Sequence, residues 1–233
     1  MTIPIISALF HNDFLFASHQ LVLFSNQICL QNPKLHFLDL VPLFIETSKS
    51  ILNQQIDERK KELREEISSC NKFENLNENK NFESVSKAVK RMVNSMDILS
   101  RGWKEILPEK LLFSFECDLT TLLIQEVIGE MEKINSIAES ECGPLSKICA
   151  QIINDIRNLL SQFQLKIEEK AEKSLNKMKL LSEVFHMRMV DIVESFSKGE
   201  MEGFSTQEVA SLITALFKES RLKEEQIEKL LLL

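Results

Sequence analysis

Five glycines and five prolines are all that 233 residues offer for reversing the chain. Sheet proteins need a tight turn every few residues, and glycine and proline supply much of that turn chemistry. A chain this poor in both is confined to long segments with few connections. Apolar residues recur at i, i+3, i+4 and i+7 through most of the sequence, and no stretch shows sustained strand alternation. Apolar residues make up 44% and charged residues 27%, enough of the former for a core. These features predict an all-α fold without a sheet, an elongated bundle or rod of seven or eight mostly long, antiparallel helices.

The periodicity places the helices. Residues 5–30 carry Leu9, Phe10, Phe14, Leu15, Phe16, Leu21, Val22 and Phe24, and Gln31-Asn32-Pro33 breaks them off. A second helix runs from near Asp39 to Cys70, with Pro42 tolerable in its first turn, where the missing amide costs little. Five Asn within residues 71–81 read as a polar linker or mobile loop. The chain therefore divides into an N-terminal helical pair (1–71), an Asn-rich loop (72–81) and a C-terminal bundle (82–233), the alternative being one continuous rod over 1–233. Pro108 suits the first position of the fourth helix, and Gly129 within it suggests close approach of a neighbour. Cys142-Gly143-Pro144 reads as a break. Residues 174–197 read as one helix, and 155–173 as continuous helix. Trp103 is read as a core residue, and Met92 and Met96 as adaptable filler.

The end of the chain is specified almost residue by residue. A turn bracketed by Gly199 and Gly203 leads to Phe204-Ser205-Thr206-Gln207-Glu208-Val209. Ser205 is an N-cap, and Glu208, three residues on, can reach back to its amide, a capping box. Phe204 and Val209 flank it as a hydrophobic staple. Val209, Leu212, Ile213, Leu216 and Phe217 then form one apolar stripe. Ser220 caps a last helix with Leu222, Ile227, Leu230 and Leu231 apolar. This apolar end needs cover, so these four residues are the expected partner surface.

Much chemistry is excluded. The net charge is −7 and no basic block occurs, which argues against direct nucleic-acid binding. The five cysteines are scattered without a Cys-x-x-Cys, a pattern of reduced thiols. His11 and His19 could share a helix face but lack further closely spaced ligands for zinc. There is no phosphate loop, metalloprotease or nucleophile-elbow pattern. The expectation is a protein with no catalytic, cofactor or metal residues.

Several motifs occur in the order found in one family. They are Leu9-Phe10-His11-Asn12-Asp13, Leu38-Asp39-Leu40-Val41-Pro42, Ser86-Lys87-Ala88-Val89, Trp103 with Leu107-Pro108, Glu126-Val127-Ile128-Gly129, and the run from the Gly-bracketed turn through Phe217. Together they resemble the C-terminal portion of the zeste-white-ten proteins. Met201-Glu202-Gly203 stands where the family has a Gly-Pro-Leu-like step. The resemblance implies a non-catalytic helical scaffold. Its implied settings are a kinetochore complex with Rod and Zwilch, which recruits dynein and dynactin, and an ER complex that captures Golgi-derived vesicles and contacts SNAREs. The implied direct partner is the large solenoid subunit, Rod or the neuroblastoma-amplified protein. The implied location is cytoplasmic, at kinetochores in mitosis, and at the ER membrane only peripherally through partners. A helical subunit of another tether such as exocyst, or a generic helical interaction protein, is the alternative.

Overall fold

A computed structural model describes residues 4–31, 37–70, 73–163 and 168–232, apart from the side chains of Cys29 and Gln31. Among these residues there are nine α-helices and no strand. They are α1 (Pro4–Gln31), α2 (Leu40–Ser69), α3 (Asn79–Lys104), α4 (Glu109–Met131), α5 (Glu139–Gln162), α6 (Glu169–Val184), α7 (Met189–Ser197), α8 (Thr206–Leu216) and α9 (Arg221–Leu231). No described helix is long and apolar enough to cross a membrane. The expected break at Asn32-Pro33 and the stretch 164–167 lie outside the described residues.

The all-α class is as expected, with one helix more than seven or eight. The extra one arises within 174–197, which is two helices. The His186 and Met187 amides donate to Glu183 and Val184 carbonyls, tightening the end of α6, and Arg188 turns to an extended conformation as the cap of α7. Residues 155–173 are likewise not one helix, since α5 ends at Gln162 with Phe163 as its cap. Cys142-Gly143-Pro144 is no break. The α5 helix starts five residues before Pro144, and the Glu141 carboxylate accepts from the Ala138 amide at 3.0 Å. So near the N-terminus the proline removes a single ladder bond.

Two compact units are distinguished by the density of contacts within them, each built from two stretches of chain. The first is Met1–Lys61 with Ser95–Phe115, the second Glu62–Asn94 with Glu116–Leu233. Helices α2, α3 and α4 contribute residues to both, a division that differs from the contiguous segments read from the sequence.

In the first unit α1 is pinned by polar and small residues. His11 is buried, with Nδ1 2.7 Å from Ser48 Oγ and 3.0 Å from the Ser48 carbonyl. Asn12 donates to the Ile106 carbonyl, and the Phe37 amide donates to Ser25 Oγ. Trp103 is fully buried, as expected. Its indole N–H donates to the Pro4 carbonyl at 2.8 Å, and its ring lies 5.4 Å from Phe115. A Cβ on Gly102 would sit 3.1 Å from Pro4 Cβ, so glycine admits the start of α1 here. The inward face of α1 is Ser7, Ala8, His11, Ser18 and Ser25, while Leu9, Phe10, Phe16 and Phe24 are exposed. Of the apolar residues that mark this helix in the sequence, these four are exposed and Phe14, Leu15, Leu21 and Val22 are partly buried.

In the second unit α5 packs on α6, and α9 packs on α7 and α8. The core runs through Leu119, Leu123, Ile148, Ile152, Leu175, Met178, Leu181 and Ile213. Within the segment read as a polar linker or mobile loop, Phe73 and Leu76 belong to this core, while Asn75, Asn77 and Glu78 are exposed. Phe73 and Leu76 are each 1% exposed, and Phe73 and Asn75 take φ of 59° and 55°. Asn tolerates that left-handed conformation; Phe does not, and its burial offsets a strain of about 1 to 2 kcal/mol.

Candidate interaction site on the C-terminal helices

The α7–α8 turn is built by its glycines. Gly199 follows the last turn of α7 at φ +75°, the left-handed position that closes many helices, and its amide donates to the Phe196 carbonyl. Met201 is buried and anchors the turn, and Gly203 takes φ +90°. Phe204 and Ser205 then enter α8.

The capping box forms as the spacing requires. The Glu208 amide donates to Ser205 Oγ at 3.2 Å, and the Ser205 amide donates to Glu208 Oε2 at 2.6 Å. Phe204 and Val209 are both buried beside it, at 8% and 0% exposure. The tertiary structure adds Lys177 of α6, which no local pattern indicates. Its ammonium donates to Glu208 Oε1 at 2.7 Å and sits 4.7 Å from the centroid of the Phe204 ring. One carboxylate therefore serves both the cap and a bond to α6. Burial disfavours the Glu208 carboxylate, but the Lys177 bond and the cap's hydrogen bonds outweigh it and hold the group below its ordinary value.

The other end of α8 is closed by Lys223 of α9, which the sequence reading missed. Only 2% exposed, it donates to the carbonyls of Thr214 (3.1 Å) and Phe217 (3.0 Å) and to Glu219 Oε1 (2.7 Å). The Ile137 amide donates to the Ala215 carbonyl at 2.8 Å. Carbonyls that a helix end leaves without partners are thus satisfied by a cation, which the helix dipole also favours. A signal existed: Lys in the first turn of α9 opposes that helix's own dipole. Phe217, read as the end of the stripe, is instead an extended C-cap.

The four expected partner residues separate. Leu230 is fully buried in the core and Ile227 is partly buried, whereas Leu222 and Leu231 are 49% and 62% exposed. Ser220 caps α9 as expected, its Oγ accepting from the Lys223 amide at 3.2 Å.

A cleft of about 450 Å³ lies beside the cap, lined by Ile128 and Gly129 of α4, Glu132 just after it, Lys170, Lys173 and Lys177 of α6, and Glu208. A Cβ on Gly129 would meet nothing within 4 Å, so this glycine borders open space and not a neighbouring helix. The three ammonium groups are already paired, with Asp118, Glu169 and Glu208 respectively. Glu132 Oε1 is buried without a hydrogen-bond partner. Burial pushes the Glu132 carboxyl up, Glu208 adds to the rise, and Lys177 only partly offsets it. Ser174 of α6 also lines the cleft, and its hydroxyl donates to the Lys170 carbonyl at 3.2 Å. Among the described residues no group of three His, Cys, Asp or Glu side chains could hold a metal ion. His11 is committed to Ser48, and His19 is exposed.

The sequence model of a protein family described as the ZW10 C-terminal helical domain matches residues 87–230, a span that contains α4 to α8 and all of α9 but its last residue. The chain belongs to that family. Among relatives, the centromere/kinetochore protein zw10 homolog of Rattus norvegicus is 23% identical over 245 residues, covering 98% of this chain and 32% of that protein. The homolog of the same description in Arabidopsis thaliana is 22% identical over 231 residues, covering 94% and 31%. The chain thus spans about a third of the length of the curated ZW10 relatives it matches.

Proposed function

We propose that this chain is a non-catalytic scaffold segment of a ZW10-family subunit. It acts in a kinetochore complex with Rod and Zwilch, serving the spindle checkpoint and dynein recruitment. It also acts in an ER-associated tether for Golgi-to-ER vesicle transport. The direct partner in each is the large solenoid subunit, and membrane association is peripheral, through partners. The observation that carries the reading is the family match over 87–230, supported by relatives named as centromere/kinetochore proteins. The residues we assign to the partner are Leu222 and Leu231, exposed on α9 beside a helix end that Lys223 holds in place.

The test is co-precipitation of the 1–233 chain with each solenoid subunit. Binding is expected, and Leu222→Glu with Leu231→Glu should weaken it at least tenfold while the circular dichroism spectrum is unchanged. A folded chain that binds neither subunit would sink the specific partners. Recovery of exocyst subunits alone would move the chain to another tether. Deleting 219–233 is a poorer test, because it also strips Lys223 from the end of α8 and Leu230 from the core.

A further inference from the structure

Among the charged side chains that line the cleft between α4 and α6, the fold compensates all but Glu132. Lys170 pairs with Asp118 at 3.4 Å, Lys173 with Glu169 at 2.8 Å and Lys177 with Glu208 at 2.7 Å. These three cations and three carboxylates cancel. Among the described residues Glu132 has neither an ion pair nor a side-chain hydrogen bond, and its Oε1 is buried. The residue as a whole is only partly buried, so the carboxylate stands in the wall of the cleft. A charge taken partly out of water without a counter-charge opposes folding, and groups of this kind concentrate where something binds.

The rest of the cleft suits the stem of a long cationic side chain. Ile124 and Ile128, 0% and 3% exposed, give it an apolar wall. Gly129 follows in the interior of α4, where glycine is less favourable than alanine. A Cβ there would meet nothing within 4 Å, and the backbone is not left-handed, so neither crowding nor conformation requires the glycine. What the missing side chain leaves is room for an incoming chain to approach the helix. The cleft, at about 450 Å³, is within the range of ligand pockets.

Methylenes against isoleucine with the charge at a carboxylate is how long basic side chains divide themselves between apolar and polar surroundings. Arginine suits a partly buried carboxylate better than lysine. Its guanidinium is more weakly hydrated and can donate two parallel bonds. An anionic ligand would have to displace Asp118, Glu169 or Glu208 from a lysine and would then lie beside the uncompensated Glu132. We infer that the cleft is a docking site for an arginine side chain of a partner protein, its guanidinium on Glu132 and its stem on Ile124 and Ile128. The assignment holds whichever complex the chain serves.

The test is titration of the isotope-labelled 1–233 chain with the blocked peptide acetyl-Ala-Arg-Ala-amide, followed by amide NMR. Shifts at the Gly129 and Gly203 amides are expected, with a Kd on the order of 1 mM for a single docked side chain. The same peptide with citrulline, the neutral isostere, should bind about tenfold more weakly or worse. So should the arginine peptide on Glu132→Gln, which loses the charge, and on Gly129→Leu, which fills the cleft with a good helix former. Circular dichroism should show both variants folded. No shift at either glycine up to about 10 mM would overturn the assignment. So would equal binding by the citrulline peptide or by Glu132→Gln. Free arginine binding as tightly as the peptide would also overturn it, because the occupant would then be a small molecule.

Discussion

Lys223 and Glu208 show how much of α8 rests on two single side chains from opposite directions. Substituting Lys223 by Met keeps the stem and removes the ammonium from three acceptors, leaving two backbone carbonyls orphaned. Charge-assisted bonds of this kind contribute about 1.5 to 3 kcal/mol, so a loss near 2 kcal/mol is expected in urea denaturation. Glu208 and Glu132 should respond oppositely to neutralisation. Glu208 is held below its ordinary value, so its contribution is present above that value and is lost as pH falls through the depressed one. Glu132 is raised, so its charge opposes folding above its raised value, and the penalty vanishes once it is protonated. At pH 7 Glu208→Gln should lower the melting temperature and Glu132→Gln should raise it. Both differences should shrink as the pH falls toward 3, as thermal melts across that range can check. The Glu208 pairing with Ser205 was legible in the sequence because both lie within one helical turn. The bond to Lys177 was not, because 31 residues separate the partners and nothing local orders them.

At the scale of the elements, the glycines of the second unit divide into two kinds. Gly129 lies in the interior of α4 with open space where a Cβ would go. Replacing it by Ala should stabilise the protein by about 1 kcal/mol, the propensity difference undiluted by a clash. Gly203 stands at φ +90°, and Gly203→Ala should cost about 1 to 2 kcal/mol, although the nearest atom is a flexible Lys177 methylene at 3.7 Å. Denaturant titration of both variants tests the two signs together. The sequence marked both glycines as unusual but could not sort them, since a kept glycine signals either a crowded neighbour or a backbone need. The α6–α7 boundary failed for a related reason. Residues 184–189 keep helical composition, and only the structure shows Arg188 leaving the helical conformation, with Phe185 and Met189 buried on either side.

For the whole molecule, the thiols and the single tryptophan report on integrity. Cys149 is wholly buried and its thiol is pushed up to about 12, and burial with Glu66 nearby pushes Cys70 up to about 11. Among Cys70, Cys117, Cys142 and Cys149, only Cys142 is not fully buried. Among these four, Cys142 should therefore react first with a thiol reagent at pH 8 in the folded chain, and the other three only as fast as the protein opens. Mass mapping of the labelled cysteines gives the order. Trp103→Ala empties a fully buried site in the first unit and should cost about 3 to 5 kcal/mol. The sequence by itself determined the helical class, most helix positions and the closed N-terminal caps of α8 and α9. Each of these follows from interactions within a few residues, which any tertiary setting must respect. Only the tertiary structure decided which face of each helix is inside. Burial is a property of what packs opposite, so α1 could turn serines and a histidine inward, where they find partners, and leave leucines and phenylalanines outside. The same reason took Leu230 from the expected partner surface into the core and left Leu222 and Leu231 to solvent.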